Sequence, residues 1–129
     1  MIFVDSNVLI FSEMAEYPEH AVAVEKLISL TKDGIAINGI VVSEVYHKLY
    51  KLIGQEEAFK RTKNILSSKS FVCLPIEKET VERSHALTKY VRINDVIIAQ
   101  HAMDSKLHLL TDNVKDFKKI KGLKVIRLR

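Results

Sequence analysis

Short apolar segments alternate with longer segments of helical period along almost the whole chain, and this alternation constrains the fold more than any other feature. Five apolar segments have the length and composition of β-strands, and most are bounded by polar or turn-forming residues. Between them, apolar residues recur at the three- and four-residue spacing of an amphipathic helix. Strands that alternate with helices favour a three-layer α/β domain, with helices on both faces of a mainly parallel five-stranded sheet.

The expected elements follow from periodicity and from residues that start or stop helices. Gly34 and Gly54 each follow a helical segment, and Asn94 is predicted to cap the last helix. Cys73 lies in the third strand and is predicted to be a buried packing residue. The predicted strands are residues 1–4, 35–38, 71–75, 107–111 and 123–128, and the predicted helices are 8–15, 19–32, 40–53, 55–68, 77–90 and 94–105.

Size and composition narrow the class of protein. With 129 residues, 47% apolar and 28% charged, the sequence predicts a single globular domain over residues 1–129. No apolar run approaches the roughly 18 residues needed to cross a bilayer, and Asp5 interrupts the apolar start. We therefore expect a cytoplasmic protein. A single cysteine excludes an intrachain disulfide, and five histidines at unrelated spacings do not suit a zinc site.

Acidic residues stand at the edges of four apolar segments. Asp5 follows the first strand, Glu44 lies early in the third predicted helix, Asp95 opens the last one, and Asp112 or Asp116 follows the fourth strand. Each has an ordinary structural alternative, as a helix cap, a first-turn anion, a solvated side chain or a turn residue. Open α/β folds, however, place their sites at the carboxyl ends of strands. We therefore predict that these acids converge.

Clustered carboxylates need a counter-charge, and this need indicates a metal. Two carboxylates about 4 Å apart repel by about 4 kcal/mol at an effective dielectric constant of about 20. A fold avoids this cost unless a cation or protons compensate. Oxygen ligands without Cys or grouped His suit Mg²⁺ or Mn²⁺. Such a site activates a water and stabilises charge on a phosphodiester. Arg92 and Lys48 lie near two of the acids in sequence and are candidates for phosphate contacts.

The net charge of +4 is unevenly distributed. Residues 115–129 contain seven Lys or Arg and one acid, a net charge of +6, so residues 1–114 sum to −2. A basic segment beside an acidic site suits a polyanion that lies across a metal centre. Lysines that discourage aggregation of an edge strand are the alternative, and the sequence leaves both open.

The motifs around these acids resemble the PIN-domain family and, within it, the VapC-type ribonuclease toxins of prokaryotic toxin–antitoxin pairs. The similarity spans essentially the whole chain, and four such motifs in this order and spacing are fairly specific. The resemblance implies a parallel five-stranded sheet in which the first and fourth strands are neighbours. The similar segments are Val4-Asp-Ser-Asn-Val-Leu-Ile10, Ser43-Glu44, Asn94-Asp-Val-Ile-Ile-Ala99, the stretch from Leu109-Leu-Thr111 to Asp116-Phe117, and Gly122-Leu-Lys-Val125.

The resemblance also implies a function and the residues that carry it. It implies Mg²⁺- or Mn²⁺-dependent endonucleolytic cleavage of single-stranded RNA, a homodimer, and a VapB-like antitoxin that plugs the acidic cleft. By matching positions, Asp5, Glu44 and Asp95 take the roles of the three core acids and metal ligands. Ser6 and Arg92 are predicted to contact the substrate.

The fourth acidic position departs from the family pattern. Many relatives carry an acid at the second position after the threonine, where this chain has Asn113. Asp116 is the first candidate for the fourth catalytic acid and Asp112 the second, while Asn113 is predicted to bind substrate or to orient water. The departure concerns a second metal site or water activation more than the first metal.

Three other functions are alternatives to a toxin. A PIN nuclease in rRNA or other RNA processing and a non-catalytic RNA-binding domain of the same fold both stay open. A signalling receiver domain requires adjacent acids after the first strand and an Asp at the end of the third. Here Ser6-Asn7 follows Asp5, and the third strand ends at Leu74-Pro75, so the sequence disfavours a receiver.

Overall fold

The central layer of the computed structural model, which describes all 129 residues, is a five-stranded sheet. Its strands are β1 (Ile2–Val4), β2 (Ile35–Ile37), β3 (Phe71–Cys73), β4 (Leu109–Thr111) and β5 (Val125–Arg127). They are arranged in the order β3-β2-β1-β4-β5, and every neighbouring pair is parallel. The first strand is therefore central, and it pairs with the fourth as the family resemblance implied.

Seven helices connect and cover these strands. They are α1 (Ser6–Glu13), α2 (His20–Leu30), α3 (Gly39–Ile53), α4 (Gln55–Ser67), α5 (Lys78–Ser84), α6 (Ile93–Asp104) and α7 (Val114–Phe117). Crossovers between parallel strands are right-handed, so this strand order places α1–α4 on one face of the sheet and α5–α7 on the other. The predicted three-layer α/β architecture is confirmed. None of the helices combines the length and apolar character that crossing a membrane requires.

One cluster of 23 buried apolar residues packs on both faces of the sheet. Successive side chains of a strand point to opposite faces. Phe3 of β1 packs edge-on against His101 of α6, with ring centroids 5.3 Å apart, whereas Val4 belongs to the other face. All residues of β2 and β4 are buried, as expected for inner strands that are covered on both sides. The packed core thereby fixes the carboxyl ends of the three central strands.

Two predictions about the third strand and the helix after it are wrong. Cys73 is exposed, because β3 is an edge strand that pairs only with β2. The helix predicted over 77–90 ends at Ser84 and continues as a 3₁₀ turn, His85–Leu87. Beyond that point the N–H groups of Thr88 and Tyr90 bond to carbonyls three residues back, which tightens the chain and ends the α-helix. The short helix α7 was not predicted.

Candidate active site

Three of the predicted acids meet at the carboxyl edge of the sheet. Asp5 follows β1, Glu44 lies in the second turn of α3, and Asp95 lies in the first turn of α6. One carboxylate oxygen from each residue lies within 4.8 Å of the other two. No ion pair within the protein neutralises any of them. We call these three residues the acidic cluster.

Asp5 is held by a hydrogen bond at each carboxylate oxygen. Oδ1 accepts from the Ser6 backbone N–H at 2.8 Å, which caps α1. Oδ2 accepts from the Thr111 hydroxyl at 2.7 Å. Thr111 ends β4, and the pairing of β4 with β1 brings its hydroxyl to Asp5. The capping role and the membership of the cluster, which were alternatives for this residue, are therefore both present in one side chain.

The environment of Asp5 and Asp95 disfavours their charged forms. Burial raises the pKa of Asp5 to about 7, and the charges of Asp95 and Glu44 contribute in the same direction. The hydrogen bond from Thr111 opposes this increase. Burial, followed by the charge of Glu44, raises the pKa of Asp95 to about 6, although Arg92 lowers it. The positive charge that the protein places near these two carboxyl groups is therefore too small to keep their pKa values at the usual 3.8.

Glu44 is oriented by two polar side chains. Its Oε1 accepts from the Ser6 hydroxyl at 3.0 Å, and its Oε2 accepts from the Asn94 amide at 3.4 Å. Lys48, one turn further along α3, forms no ion pair with Glu44. Ser6 therefore positions a carboxylate of the cluster, and its contact with substrate stays a prediction.

The start of α6 differs from its prediction in one respect. The helix begins at Ile93 with Arg92 at the capping position, and no side chain caps it. Asn94 was predicted to be the cap and is not, because its amide faces Glu44 instead. Asp95 nevertheless lies in the first turn, as predicted.

Two of the candidates for the fourth acidic position form one hydrogen-bonded pair. The Asn113 amide donates to Asp116 Oδ2 at 3.1 Å. Asp116 is close enough to Asp95 for its charge to raise the pKa of that residue. This proximity favours Asp116 for the fourth role, with Asn113 as the residue that orients it.

Asp112 has a different partner. Its two oxygens accept from Arg129 Nε at 3.0 Å and Nη2 at 3.2 Å. Arg129 also lies 3.8 Å from Glu19, so it connects the end of the chain to the turn before α2. A carboxylate already paired with a guanidinium is a weaker candidate for catalysis. The fourth role stays a prediction, with Asp116 preferred.

Thr111 and Asn7 support the site and were not predicted. In addition to binding Asp5, the Thr111 hydroxyl accepts from the Asn113 backbone N–H at 2.9 Å. The Asn7 side chain accepts from the Asp112 backbone N–H at 3.2 Å and donates to the Thr111 hydroxyl at 3.4 Å. These bonds join the loop after β4 to the start of α1. The only signal in the sequence was the presence of short polar residues beside acids at two strand ends.

A buried polar pair connects the helices that carry Glu44 and Asp95. The Asn38 amide donates to His101 Nδ1 at 2.9 Å, and Asn38 Oδ1 accepts from the Val41 backbone N–H to cap α3. Burial lowers the pKa of His101. His101 is therefore a structural residue that fixes α6 to the amino end of α3.

The acidic cluster suits a small divalent cation. Its ligand groups are all carboxylates, which are the donors that Mg²⁺ and Mn²⁺ prefer. Their oxygens span up to 4.8 Å, close to the roughly 4.2 Å between opposite oxygens around Mg²⁺ at about 2.1 Å each. A bound cation would also offset the burial and the neighbouring carboxylate charges that raise the pKa of Asp5.

Comparison with known families decides the class of protein. A family model described as the PIN domain matches residues 2–123. The chain belongs to the PIN-domain family. The resemblance inferred from the motifs is thereby confirmed, and every residue of the acidic cluster lies within the matched range. Among curated proteins, none matches the sequence of this PIN domain.

Solved structures of toxin–antitoxin complexes and VapC toxins share the fold of this PIN domain. A chain of VapBC2 from Rickettsia felis, bound to a DNA fragment of its promoter, has a TM-score of 0.80 and 23% identity over 98% of each chain. A chain of a toxin–antitoxin complex from Klebsiella pneumoniae has a TM-score of 0.72 and 26% identity, over 100% of this chain and 98% of the other. VapC20 from Mycobacterium tuberculosis, a toxin that cleaves the sarcin–ricin loop, has a TM-score of 0.78 and 16% identity, over 92% of this chain and 94% of the other. The PIN domain is therefore of the VapC type in its fold.

Proposed function

We propose that this PIN domain is a metal-dependent endoribonuclease of single-stranded RNA and the toxin of a VapBC-type pair. The observation that carries the proposal is the acidic cluster: three carboxylates from distant parts of the chain meet at the sheet edge without an ion pair. Capping and hydrogen bonds account for these residues singly but not for their convergence, because clustered carboxylates repel one another unless a cation or protons compensate. Membership of the PIN family supports a nuclease.

The residues of the chain would act by holding charge and geometry in place. Asp5, Glu44 and Asp95 would hold the metal, which when bound supplies an activated water and stabilises charge on the phosphodiester. Thr111 and Ser6 fix two of these carboxylates in advance, so little side-chain freedom is lost on binding.

Other residues of the site would act on the water and the substrate. We assign Asp116, held by Asn113, to orienting the attacking water, with Asp112 as the second candidate. Asn113 also stays a candidate for substrate contact. Arg92 lies at the start of α6 beside the cluster and would contact a substrate phosphate.

The substrate and the partners are proposed from relatives and from charge. RNA is supported by VapC20, which cleaves the sarcin–ricin loop, and by the net +6 charge of residues 115–129. A VapB-like antitoxin and a homodimer are supported by similar chains that were solved as VapBC or toxin–antitoxin complexes. We place the protein in the cytoplasm with these partners.

Cleavage of an unstructured RNA tests the nuclease. With Mn²⁺ the chain should cleave the RNA, and excess EDTA should stop cleavage. Asp5→Asn and Asp95→Asn should each reduce the rate well beyond the roughly 10–100-fold that loss of a metal ligand's outer partner costs. Asp33→Asn is the matched control, since Asp33 is an exposed residue in a turn. Cleavage that survives in EDTA, or variants as active as wild type, would reject the assignment.

The toxin role requires a separate test. Expression of the wild-type chain should arrest growth of a bacterial host, whereas Asp95→Asn should not. Co-expression of the neighbouring gene, if it encodes an antitoxin, should restore growth. A chain that cleaves RNA in vitro without affecting growth would instead be a nuclease of RNA processing.

A further inference from the structure

A basic groove lies beside the loop that follows β4. Its volume is about 300 Å³, and its lining includes Lys115, Lys118, Arg127 and Arg129 together with Asp112. Lys115 belongs to α7, Lys118 follows that helix, and Arg127 ends β5. We call the cavity that these four cations line the basic groove.

Three of the four cations have no acidic partner. Arg129 is paired with Asp112 and approaches Glu19. Lys115, Lys118 and Arg127 form no ion pair, and all three are exposed. Lysines that merely solubilise an edge need no common concavity, whereas these three line one groove. A groove lined by charges of one sign concentrates the field and attracts a polyanion.

The register of the sheet places this groove in line with the acidic cluster. The Asp5 backbone N–H donates to the Leu110 carbonyl at 2.9 Å, which puts Asp5 beside Thr111. Thr111 in turn pairs with Arg127. Asp5, Thr111 and Arg127 therefore form one row across three neighbouring strands. Because neighbouring strands are about 4.8 Å apart, the Arg127 backbone lies about 10 Å from that of Asp5.

The same register places the row on the face that carries α6 and α7. Paired positions, and positions two residues apart on a strand, direct their side chains to the same face. Phe3, two residues before Asp5, packs against His101 of α6. The side chain of Arg127 is therefore on the side of the sheet from which Asp95 enters the cluster.

We propose that the basic groove binds the phosphates of single-stranded RNA next to the nucleotide that lies at the acidic cluster. The choice of RNA rests on the proposed function, but the binding itself requires neither metal nor cleavage. The sugar–phosphate backbone of an extended RNA strand spans the distance between Asp5 and Arg127 within a few nucleotides. Lys115 and Lys118 contact the following phosphates, and Arg129 stays engaged with Asp112.

RNA binding without cleavage tests this groove. The full chain carrying Asp95→Asn is titrated in EDTA against a fluorescent, unstructured RNA of about 12 nucleotides, and a gel verifies that the RNA stays intact. The triple variant Lys115→Gln, Lys118→Gln and Arg127→Gln should weaken binding at least about tenfold at low salt. The slope of log affinity against log salt should fall by about 0.7 for each phosphate that the variant no longer neutralises, or about 2 in total.

A second triple variant controls for overall charge. It carries Lys60→Gln, Lys63→Gln and Lys69→Gln, which are exposed positions on α4 and on the loop before β3. It removes the same charge far from β5 and should retain nearly wild-type affinity. Thermal unfolding verifies that both variants fold.

Either of two results would overturn the proposal. One is unchanged RNA affinity in the groove variant, and the other is an equal reduction of affinity in the control variant. Unchanged RNA affinity together with abolished binding of a polyglutamate peptide would assign the groove to an acidic protein partner instead. If wild type fails to cleave RNA but the groove variant binds RNA more weakly, the groove stands and the nuclease assignment fails.

Discussion

The two ends of α6 carry aspartates in opposite electrostatic environments. At the amino end, burial and the charge of Glu44 raise the pKa of Asp95 to about 6. At the carboxyl end, the hydrogen bond from Arg83, with help from Thr80, lowers the pKa of Asp104 to about 2. Arg83 Nη2 lies 2.6 Å and the Thr80 hydroxyl 2.7 Å from the same oxygen of Asp104.

These two pKa shifts have the opposite signs to those that the helix dipole would cause. A dipole favours an anion at the amino end and disfavours one at the carboxyl end, typically by about 0.3–1 kcal/mol. The neighbours of the two residues therefore outweigh the dipole. Asp104 is satisfied by the protein as a structural ion pair, whereas Asp95 needs a positive charge that the protein does not supply. The contrast is the one expected between a carboxylate that stabilises the fold and one that binds a ligand, the role proposed for Asp95.

The pH dependence of stability gives the largest expected effect. Raised pKa values at Asp5 and Asp95 mean that, between about pH 4 and 7, the folded chain keeps protons that the unfolded chain releases. In EDTA the free energy of unfolding should therefore fall by roughly 3–4 kcal/mol from pH 5 to pH 8. Asp104 contributes no slope there, because its stabilisation is lost only as the pH falls towards about 2.

Urea unfolding at several pH values measures this profile. Mg²⁺ added at pH 8 should recover much of the lost stability, because it binds the folded state alone. A flat or rising profile in EDTA would mean that the pKa values of Asp5 and Asp95 are not raised in the folded protein.

Neutralising the most buried acid gives the next largest effect. Asp5→Asn in EDTA at pH 8 should raise the free energy of unfolding by roughly 2–3 kcal/mol, since it removes a charge that is 3% exposed. The amide can still accept from the Ser6 N–H, so the helix cap survives. The gain should vanish at pH 5, where Asp5 is already protonated. Asp33→Asn should change little at either pH, and a less stable Asp5→Asn would show that its hydrogen bonds matter more than its charge.

The smallest effects test the two ends of α6 directly. At pH 8 in EDTA, Asp95→Asn should stabilise the fold by about 1 kcal/mol, because it removes a partly buried charge and its repulsion with Glu44. Asp104→Asn should destabilise it by about 1 kcal/mol. The effect is small because solvent screens the partly exposed ion pair between Asp104 and Arg83. Chemical unfolding of both variants gives the two signs. Changes of the same sign would remove the distinction between a structural and a functional aspartate.

The sequence predicted what depends on local pattern. A short apolar run that ends in an acid was sufficient to place Asp5 at the end of β1, and the apolar run after Asp95 placed that residue at the start of a helix. The motifs added the family. The sequence could not show that Thr111 binds Asp5, because that bond requires the register of β1 against β4. It also could not show that Asn94 serves Glu44 rather than its own helix. Cys73 was placed in the core because nothing in a short apolar run distinguishes an edge strand from an inner one.

The central position of β1 has a consequence for folding. Asp5 bonds to Thr111 across the pairing of β1 with β4, and these two residues are 106 positions apart in the sequence. Pairing between such distant segments is slow. The acidic cluster therefore forms with the late, long-range contacts of the fold, and a partly folded chain has no assembled cleft.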